Sequence, residues 1–474
     1  MVSNIVRGAV ILALSANTVQ GQQPSTDPLS APIEATRDVI TVSFRQFAQI
    51  PDARGQAPRI QNMVDEPTTK RFFLNTLDGA VYTVSYDGKT VTPYLDVNEA
   101  RWSVSVHAPM IDTGLVSLAF HPQFAERGAR GFGRFYTYTD TPAKNTPDFQ
   151  SADHNARDHD TVLLEWTARD PSAQVYDGAA PRELMRIAHP FTFHNGGQLG
   201  FNPLAAPGGA DYGLLYVGSA DGGPGRNVAD PLKMAQNLSF VFGKILRIDP
   251  LGSNSTNGKY GIPAANPFVS DGRADTLGEI YASGVRNPQR FTWDTKDGRM
   301  YVADIGESLI EEISPVTAGA NLGWSLWEGS YRYLGAQGVD LANPRSEAGL
   351  TWPVVEYDHR DPLLPLRDAI TGLVVYRDGP LTALKNKMIF GDIPSGQIFY
   401  VDADHLSAGG NSTIRRILLN DGGTPKTLMQ VIGDRRQARG GSAAFRADLR
   451  FGFSSDGNIF VLNKQDGIIR QLVP

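Results

Sequence analysis

The chain has 474 residues, with 44 Lys and Arg against 50 Asp and Glu, a formal net charge of −6 and no cysteine. Because 41% of its residues are hydrophobic and only 20% are charged, it can bury a core and is not a disordered chain. The mild acidity argues against a nucleic-acid-binding protein, and the absence of cysteine excludes disulfides, thiolate metal sites and cysteine nucleophiles. The 49 glycines and 31 prolines indicate many turns and therefore many short strands.

The first 21 residues have the pattern of a secretory signal, with Arg7, an apolar run from Gly8 to Leu14, and small or polar residues up to Gly21. A disordered N-terminal segment is the alternative. The apolar run is too short to span a bilayer, and no later stretch predicts a membrane span. Residues 22–37 are rich in Pro, Ser and Thr and are expected to form a linker. The sequence therefore predicts an exported protein, periplasmic or secreted, with one folded domain over residues 38–474.

One pattern, an apolar strand followed by a polar turn and a second strand, occurs six times. Its copies are Arg71–Tyr86, Leu115–Thr139, Gln198–Ser219, Gln289–Asp304, Ile370–Asp392 and Leu449–Asn463. Apolar side chains alternate within each copy, which is typical of β-strands. A single four-stranded sheet cannot bury both of its faces, whereas radial stacking of six such sheets can. We therefore expect an all-β fold, a six-bladed β-propeller with long loop inserts on one face, and a large β-sandwich array is the alternative.

Helix signals are scarce in this chain. One short helix is expected over Asp230–Asn237, because Asp230 is a good N-cap and Pro231 suits the first helical position. Residues 140–157 and 327–361 are polar and irregular and are the expected inserts. Such loops, gathered on one face of a propeller, are where a functional site is built.

Two candidate catalytic residues stand beside glycines. His194 precedes Gly196 and Gly197 at the entry to a predicted strand, where the missing side chains leave room for a bulky ligand. Histidine is the natural general base near neutral pH, although a ring bonded to a turn carbonyl is the alternative. Asp221 ends another predicted strand, where its carboxylate can orient a histidine or form an ordinary Asp-Gly turn.

An arginine and an acidic segment follow. Arg286 offers planar donors to a carboxylate or quinone oxygen, and the Asn287-Pro288 turn aims it. Carboxylates suited to calcium follow at Asp304, Glu307, Glu311 and Glu312, without the spacing of an EF-hand. A solvated arginine and a solvated acidic loop are the alternatives. The sequence has no P-loop, G-x-S-x-G elbow, H-E-x-x-H motif or dinucleotide-binding glycine motif.

From about residue 45 to 474 the chain resembles the soluble quinoprotein glucose/sorbosone dehydrogenases, which are six-bladed propellers that bind pyrroloquinoline quinone (PQQ) and calcium. The resemblance rests on six segments in the family's order: GLVSLAFHPQF, HNGGQLGFNP, YVGSADGG, GKILRIDP, EIYASGVRNPQRFTWD, and YVADIGESLIEEI with GANLGW. It implies oxidation of an aldose at C1 to its lactone with hydride transfer to PQQ, and therefore a sugar substrate and an electron acceptor as partners.

The resemblance also implies roles for single residues. His194 falls on the base that takes the proton of the C1 hydroxyl, Asp221 on the carboxylate that orients this base, and Arg286 on the arginine at the reactive quinone carbonyl. Asn287 falls beside it on another cofactor contact. The implied calcium ligands are the carbonyls of Gly306 and Glu307 for the ion that bridges to PQQ, with Glu312 and the carbonyl of Leu322 near a second, structural ion.

The chain departs from the family at the residues that clamp the carboxylates of PQQ. Pro394 falls where a lysine is expected, and Arg446 and Arg450 lie about one position away from two expected arginines. Asp112 falls where a neutral glutamine contacts the cofactor. Two further hypotheses therefore stay open, a propeller binding module similar to the hedgehog-interacting relatives and without redox activity, and a calcium-dependent propeller hydrolase or lactonase.

Overall fold

The structure is a computed structural model that describes residues 29, 31–53, 55–223, 230–365 and 368–474. The predicted signal over residues 1–21 and the first part of the predicted linker lie outside these residues. Within the described residues the chain forms 28 strands, one α-helix and three short 3-10 helices. No helix among them is long and apolar enough to cross a membrane.

Most strands belong to six antiparallel units of four strands, and the first strand, β1 (Ile40–Gln49), belongs to the last unit. Unit 1 contains β2 (Ile60–Glu66), β3 (Arg71–Thr76), β4 (Ala80–Ser85) and β5 (Val91–Asp96). Unit 2 contains β6 (Leu115–Phe120), β7 (Arg134–Pro142), β8 (His159–Thr167) and β9 (Arg182–His189). Unit 3 contains β10 (Leu199–Phe201), β11 (Leu215–Ser219), β12 (Lys244–Ile248) and β13 (Ile280–Ser283).

The remaining units carry the additions to this pattern. Unit 4 contains β14 (Pro288–Trp293), β15 (Met300–Asp304) and β16 (Ile310–Val316), then a separate small sheet of β17 (Trp327–Glu328), β18 (Tyr331–Tyr333) and β19 (Val339–Asp340), and finally β20 (Val355–Asp358). Unit 5 contains β21 (Ile370–Tyr376), β22 (Lys387–Asp392), β23 (Ile398–Asp402) and β24 (Arg415–Asp421), with β25 (Thr424–Lys426) paired to β24. Helix α1 (Leu428–Ala438) follows, and unit 6 joins β26 (Arg450–Phe453), β27 (Ile459–Leu462) and β28 (Ile468–Val473) to β1. The 3-10 helices are Ala100–Trp102, Gly335–Gln337 and Thr382–Leu384.

Successive units pack on one another through six hydrophobic clusters, and the sixth cluster joins unit 6 to unit 1. Units 1 and 2 share a cluster around Phe73 and Trp166, whereas units 6 and 1 share one around Phe460 and Phe72. The other four clusters lie between units 2 and 3, 3 and 4, 4 and 5, and 5 and 6. Because each cluster is built from two neighbouring units, burial of apolar surface holds the units together as a closed series.

Most first strands of the units lie next to one another, and between units 3 and 4 the second strand β11 contacts β14. Strand β2 pairs with β26 in parallel and contacts β6, β6 contacts β10, β14 contacts β21, and β21 contacts β26. Within each unit the antiparallel pairing places the start of the first strand beside the end of the second, as for Arg450 opposite Leu462 and Pro288 opposite Asp304. Residues before a first strand and residues after a second strand are therefore neighbours, and this rule positions the site.

The predicted helix over Asp230–Asn237 is wrong, because this segment forms turns. The side chain of Asp230 accepts hydrogen bonds from the amides of Met234 and Ala235, at 2.7 and 2.9 Å. The buried amine of Lys244 donates hydrogen bonds to the carbonyl oxygens of Met234 and Ala235. Both sets of bonds replace those of a helix, so tertiary contacts override the N-terminal helix signal.

The structure differs from the predicted elements in three further places. Helix α1 was not expected, although Thr427 and Gln430 form a capping box that its sequence contains. The repeat at Arg71 lies on β3 and β4, the second and third strands of unit 1, and the first strand of that unit is β2. The expected irregular insert over residues 327–361 contains four short strands.

Candidate functional site

The segment that carries His194 has a backbone conformation and close contacts that require glycine at the positions after the histidine. His194 itself has a positive φ of 58°, and Gly196 follows with a φ of 101°. A Cβ on Gly196 would lie 2.3 Å from the carbonyl oxygen of Gly218, and one on Gly197 would lie 2.2 Å from that of Pro288. The two glycines therefore let this loop press against the second strand of unit 3 and the first strand of unit 4, and the imidazole is placed at their junction.

Asp221 holds the imidazole from one side. Its Oδ1 lies 2.7 Å from His194 Nδ1 and accepts the amide of Gly223 at 2.9 Å, and its Oδ2 accepts the indole N–H of Trp324 at 2.8 Å. Burial alone would raise the pKa of Asp221, but its interactions with His194, the charge of Arg286 and these hydrogen bonds outweigh burial, so the pKa is lowered. Asp221 is therefore an ionised carboxylate held in contact with the imidazole.

Arg286 closes the other side of the imidazole. Its Nη2 lies 2.9 Å from His194 Nε2, its Nη1 donates to the carbonyl of Ile305 at 2.9 Å, and its guanidinium forms a buried ion pair with Glu307. Burial opposes the charged form, but Glu307 and Asp221 raise the pKa of Arg286 above its ordinary value. The arginine is therefore a fixed positive charge in direct contact with the imidazole.

These contacts indicate which nitrogen of the imidazole donates and which accepts. A carboxylate can only accept a hydrogen bond, so Nδ1 of His194 carries the proton that faces Asp221. A guanidinium can only donate, so Nε2 presents a lone pair to Arg286. A neutral imidazole with a basic Nε2 is the form that accepts a proton from a hydroxyl, once that hydroxyl takes the place of the guanidinium contact, and its carboxylate partner stabilises the charge that then appears.

A turn between β15 and β16 contains two of the residues predicted to bind metal, Gly306 and Glu307. The carboxylate of Glu328 accepts the amides of Glu307, Ser308, Leu309 and Ile310 at 2.7–3.0 Å, which fixes this turn and the carbonyls of Gly306 and Glu307. Gly306 is required there, since a Cβ would lie 1.7 Å from the carbonyl oxygen of Ile310. Leu322 is buried, and its amide bonds the carbonyl of Ser283.

Buried carboxyl groups accumulate beside this turn. Glu312 lies opposite Asp304 across β15 and β16, and burial together with the charges of Asp304, Glu356 and Glu328 raises the pKa of Glu312 well above its ordinary value. Burial likewise raises the pKa of Asp304 to about 7 and that of Glu356 to about 7. The region has more buried acid than buried base, and it favours a bound cation or a bound proton.

This excess predicts how stability depends on pH. Because the folded-state pKa of Glu356 is raised from 4.5 to about 7, the folded protein binds more protons than the unfolded chain in this interval. We therefore expect the free energy of unfolding, measured with urea in buffer containing a chelator, to fall as pH rises from 5 to 8. Glu356 alone contributes about 3 kcal/mol to this fall, so Glu356→Gln should flatten the profile. A profile that rises over this range would contradict the assignment of protonated carboxyls.

The structure separates the predicted cofactor contacts. Asn287 donates its amide to Asp304 beside Arg286, and so lies within the site. Arg446 pairs with Asp448 at 2.6 Å, whereas Arg450 is buried and donates to Gln61 and to its own neighbour's carbonyl. Asp112 lies in the loop before β6, with its Oδ1 buried and without a hydrogen-bond donor.

Three residues in or near the candidate site could not be singled out from the sequence. Trp324 lies in the GANLGW segment, but nothing in the sequence links its indole to Asp221, 103 positions away. Glu328 stands in a segment that was expected to be an irregular insert, and no signal points to its four amide partners. Lys464 follows β27 as Asp221 follows β11, so the repeat itself would have found it once the second strands were aligned.

The residues present fit the two groups that the resemblance implies. In the described ranges no three His, Asp or Glu side chains are arranged to hold a metal, so the backbone carbonyls are the candidate ligands. Glu328 Oε2 is buried without a donor, which together with the excess of acid suits a cation that prefers oxygen. The buried guanidinium of Arg450, bonded only to neutral oxygens, suits an anionic ligand.

Comparison with known proteins agrees with the sequence resemblance. A family model described as Glucose / Sorbosone dehydrogenase matches residues 61–423. The HIPL1 protein of Arabidopsis thaliana is 31% identical over 377 residues, which cover 70% of this chain and 50% of that protein. The Hedgehog-interacting protein of Homo sapiens is 27% identical over 227 residues, which cover 48% of this chain and 29% of that protein. The matched part of the chain thus spans half or less of these two relatives.

The fold is similar to that of solved sugar dehydrogenases. The PQQ-bound form of an aldose sugar dehydrogenase from Streptomyces coelicolor superposes with a TM-score of 0.56 at 16% sequence identity, over 90% of this chain and 96% of that one. The likeness at this identity concerns the fold alone.

Proposed function

Because the chain belongs to the glucose/sorbosone dehydrogenase family, we propose that it is an exported quinoprotein that oxidises an aldose at C1 to its lactone, with PQQ and calcium. The observation that carries the proposal is the buried contact series from Asp221 through His194 to Arg286. It supplies an oriented base and a fixed positive charge at one point, which is what removal of a proton and a hydride from a sugar C1–OH requires.

The proposal includes a six-bladed propeller. Six four-stranded units, six interface clusters that include one between unit 6 and unit 1, and the neighbouring first strands support it. In this arrangement β1 from the N-terminal part of the chain completes the last blade, and the segments before the first strands gather on one face. His194, Arg286 and Asp112 all belong to such segments.

The chain's own residues have defined parts in this reaction. His194 Nε2 takes the proton of the C1 hydroxyl, and Asp221 stabilises the imidazolium that forms. Arg286 Nη2 lies on the same side and stabilises negative charge that develops on oxygen. The hydride from C1 leaves the sugar as the C1–O double bond of the lactone forms. PQQ supplies the two-electron acceptor and calcium supplies Lewis-acid polarisation when they are bound.

The proposal also assigns candidate ligands for the ions and candidate contacts for the cofactor. The carbonyls of Gly306 and Glu307 are the candidate ligands of the ion at the cofactor, and Glu312 and the carbonyl of Leu322 are the candidates for a second ion. Asn287, Arg446, Arg450 and Asp112 are the candidate cofactor contacts.

A reconstitution experiment tests the proposal. The apoprotein is mixed with PQQ and Ca²⁺, and reduction of an artificial dye is followed with a panel of aldoses, including glucose. We expect dye reduction that requires all three additions and a melting temperature that rises with Ca²⁺ and rises further with PQQ. Absence of both turnover and a PQQ-dependent shift in melting temperature would overturn the proposal.

A binding module of the same fold is the second candidate. It is favoured by the ion pair of Arg286 with Glu307, since this guanidinium is already occupied by a buried carboxylate. The matched relative named for an interaction with Hedgehog belongs to this class by its name. This candidate predicts that Ca²⁺ stabilises the protein while PQQ leaves its melting temperature unchanged.

A further inference from the structure

Three buried cations lie together near the first strand of unit 6, and only Arg450 among them was expected from the sequence. Lys464 follows β27, Arg450 begins β26, and Arg290 lies in β14. They are 9%, 4% and 7% exposed. Gln61 connects two of them, since its carbonyl accepts from Arg290 Nη2 at 2.8 Å and its side-chain oxygen accepts from Arg450 Nε at 3.2 Å.

None of the three cations forms an ion pair with a carboxylate in the described part of the chain. Lys464 Nζ donates to the carbonyl of Ile111 at 2.6 Å, and Arg290 and Arg450 each donate Nη1 to the carbonyl of the preceding residue at 2.7 Å. Buried charges are normally paired, because removing a charge from water is costly. Three buried basic side chains that bond only neutral oxygens form a cluster whose charged forms lack a counter-charge.

Two acids lie close to this cluster, and neither forms an ion pair with any of its three side chains in the described residues. Asp448 is paired with Arg446 at 2.6 Å. Asp112 follows Ile111, the residue whose carbonyl holds Lys464, and its Oδ1 has no donor. The cluster also lies on the side of the molecule that carries His194, since Arg290 stands four residues after Arg286 and Asp112 precedes the first strand of unit 2.

We propose that Lys464, together with Arg450 and Arg290, forms the subsite that binds the carboxylates of the cofactor. In this proposal Lys464 takes the role of the lysine that is expected at the position of Pro394. This inference rests on the proposed function for the identity of the ligand. A planar tricarboxylate supplies the missing counter-charge, and Asp112 opposes it. Neutralising Lys464 should therefore weaken binding of the ligand, whereas neutralising Asp112 should strengthen it.

The experiment measures binding of PQQ to the apoprotein by quenching of tryptophan fluorescence, and binding of the redox-inert benzene-1,3,5-tricarboxylate by calorimetry. Lys464→Met should weaken PQQ binding tenfold or more, and Asp112→Asn should tighten it several-fold. Lys464→Arg keeps the charge and should keep most of the affinity. Lys89→Met, a change of the same charge at an exposed side chain, should leave affinity unchanged. Circular dichroism and the melting temperature of each apoprotein confirm that it is folded.

Proton uptake separates a ligand-binding lysine from a structural one. Burial lowers the pKa of Lys464 well below its ordinary value, the charges of Arg450 and Arg59 lower it further, and Asp448 and Asp112 raise it. A bound carboxylate favours the charged amine, so binding should take up a proton and weaken as pH rises above this lowered pKa. Calorimetry in two buffers of different ionisation enthalpy measures this uptake, which Lys464→Met should abolish.

The outcomes distinguish this inference from the proposed function. Tight PQQ binding that Lys464→Met leaves unchanged would overturn the subsite and leave the proposed function intact. If the wild-type protein does not bind PQQ, the proposed function fails. Binding of benzene-1,3,5-tricarboxylate then tests whether the cluster is an anion subsite. Binding of the tricarboxylate that Lys464→Met weakens would support an anion subsite, and no binding of either compound would overturn it.

Discussion

Replacing His194 by alanine is expected to lower kcat for aldose oxidation by about a thousandfold, within the range of a lost general base. The reason is that Nε2 is the basic atom fixed at the junction of units 3 and 4, with its proton held on Nδ1 by Asp221. The loss corresponds to about 4 kcal/mol of transition-state stabilisation. Steady-state dye reduction with saturating PQQ and Ca²⁺ measures it.

Two controls make this result specific to the base. PQQ affinity of His194→Ala should stay within about threefold of wild type, which shows that the cofactor site is intact. His121 is another buried histidine, which accepts the amide of Gln123 beyond the far end of β6, and His121→Asn should keep kcat within about twofold. A His194→Ala variant that retains a tenth or more of wild-type kcat would remove His194 from the role of base.

Replacing Arg286 by leucine is expected to abolish turnover and to lower the free energy of unfolding by about 3–5 kcal/mol, because it removes the guanidinium that neutralises a buried carboxylate. The partner is Glu307, whose side chain is 1% exposed beside an arginine that is 7% exposed. The double variant Arg286→Leu/Glu307→Leu removes both charges. It should therefore recover most of the lost stability while turnover stays absent.

Urea unfolding of the four proteins of this cycle, together with dye reduction, measures the prediction. A cost below about 1 kcal/mol for Arg286→Leu alone would show that Glu307 is solvated rather than buried with the arginine. Recovery of turnover in the double variant would show that Arg286 is dispensable for chemistry and serves only to neutralise Glu307. Either result would separate the ion pair from the proposed mechanism.

Local sequence carried much of the site because its chemistry is coded in short segments. The glycines beside His194 and the Asn-Pro turn after Arg286 each fix a backbone position, and the structure brings these segments together with Asp221 in one hydrogen-bonded series. The period of alternating strands likewise predicts an all-β chain of repeated units. Signals of this kind survive in a single sequence because they act within a few residues.

The parts that were missed depend on contacts between distant segments. The hydrogen bond from the Trp324 indole to Asp221 and the four hydrogen bonds that Glu328 accepts from backbone amides arise only when separate loops meet in the folded protein. The turns at Asp230–Asn237 form because Lys244 takes the local carbonyls. Lys464 is a mixed case, since its place after β27 follows the repeat but its partner Ile111 lies 353 positions away in sequence.

The most direct test of the proposed reaction is a single turnover without oxygen or dye. The PQQ- and Ca²⁺-loaded protein is mixed with excess glucose, or with the aldose that the panel selects, and the absorbance of the cofactor is followed beside that of the His194→Ala variant. The account predicts full reduction of the cofactor and one equivalent of lactone in the wild-type protein, with the rate reduced about a thousandfold in the variant. A cofactor that binds and stays oxidised with every aldose, or one that is reduced equally fast in both proteins, would contradict it.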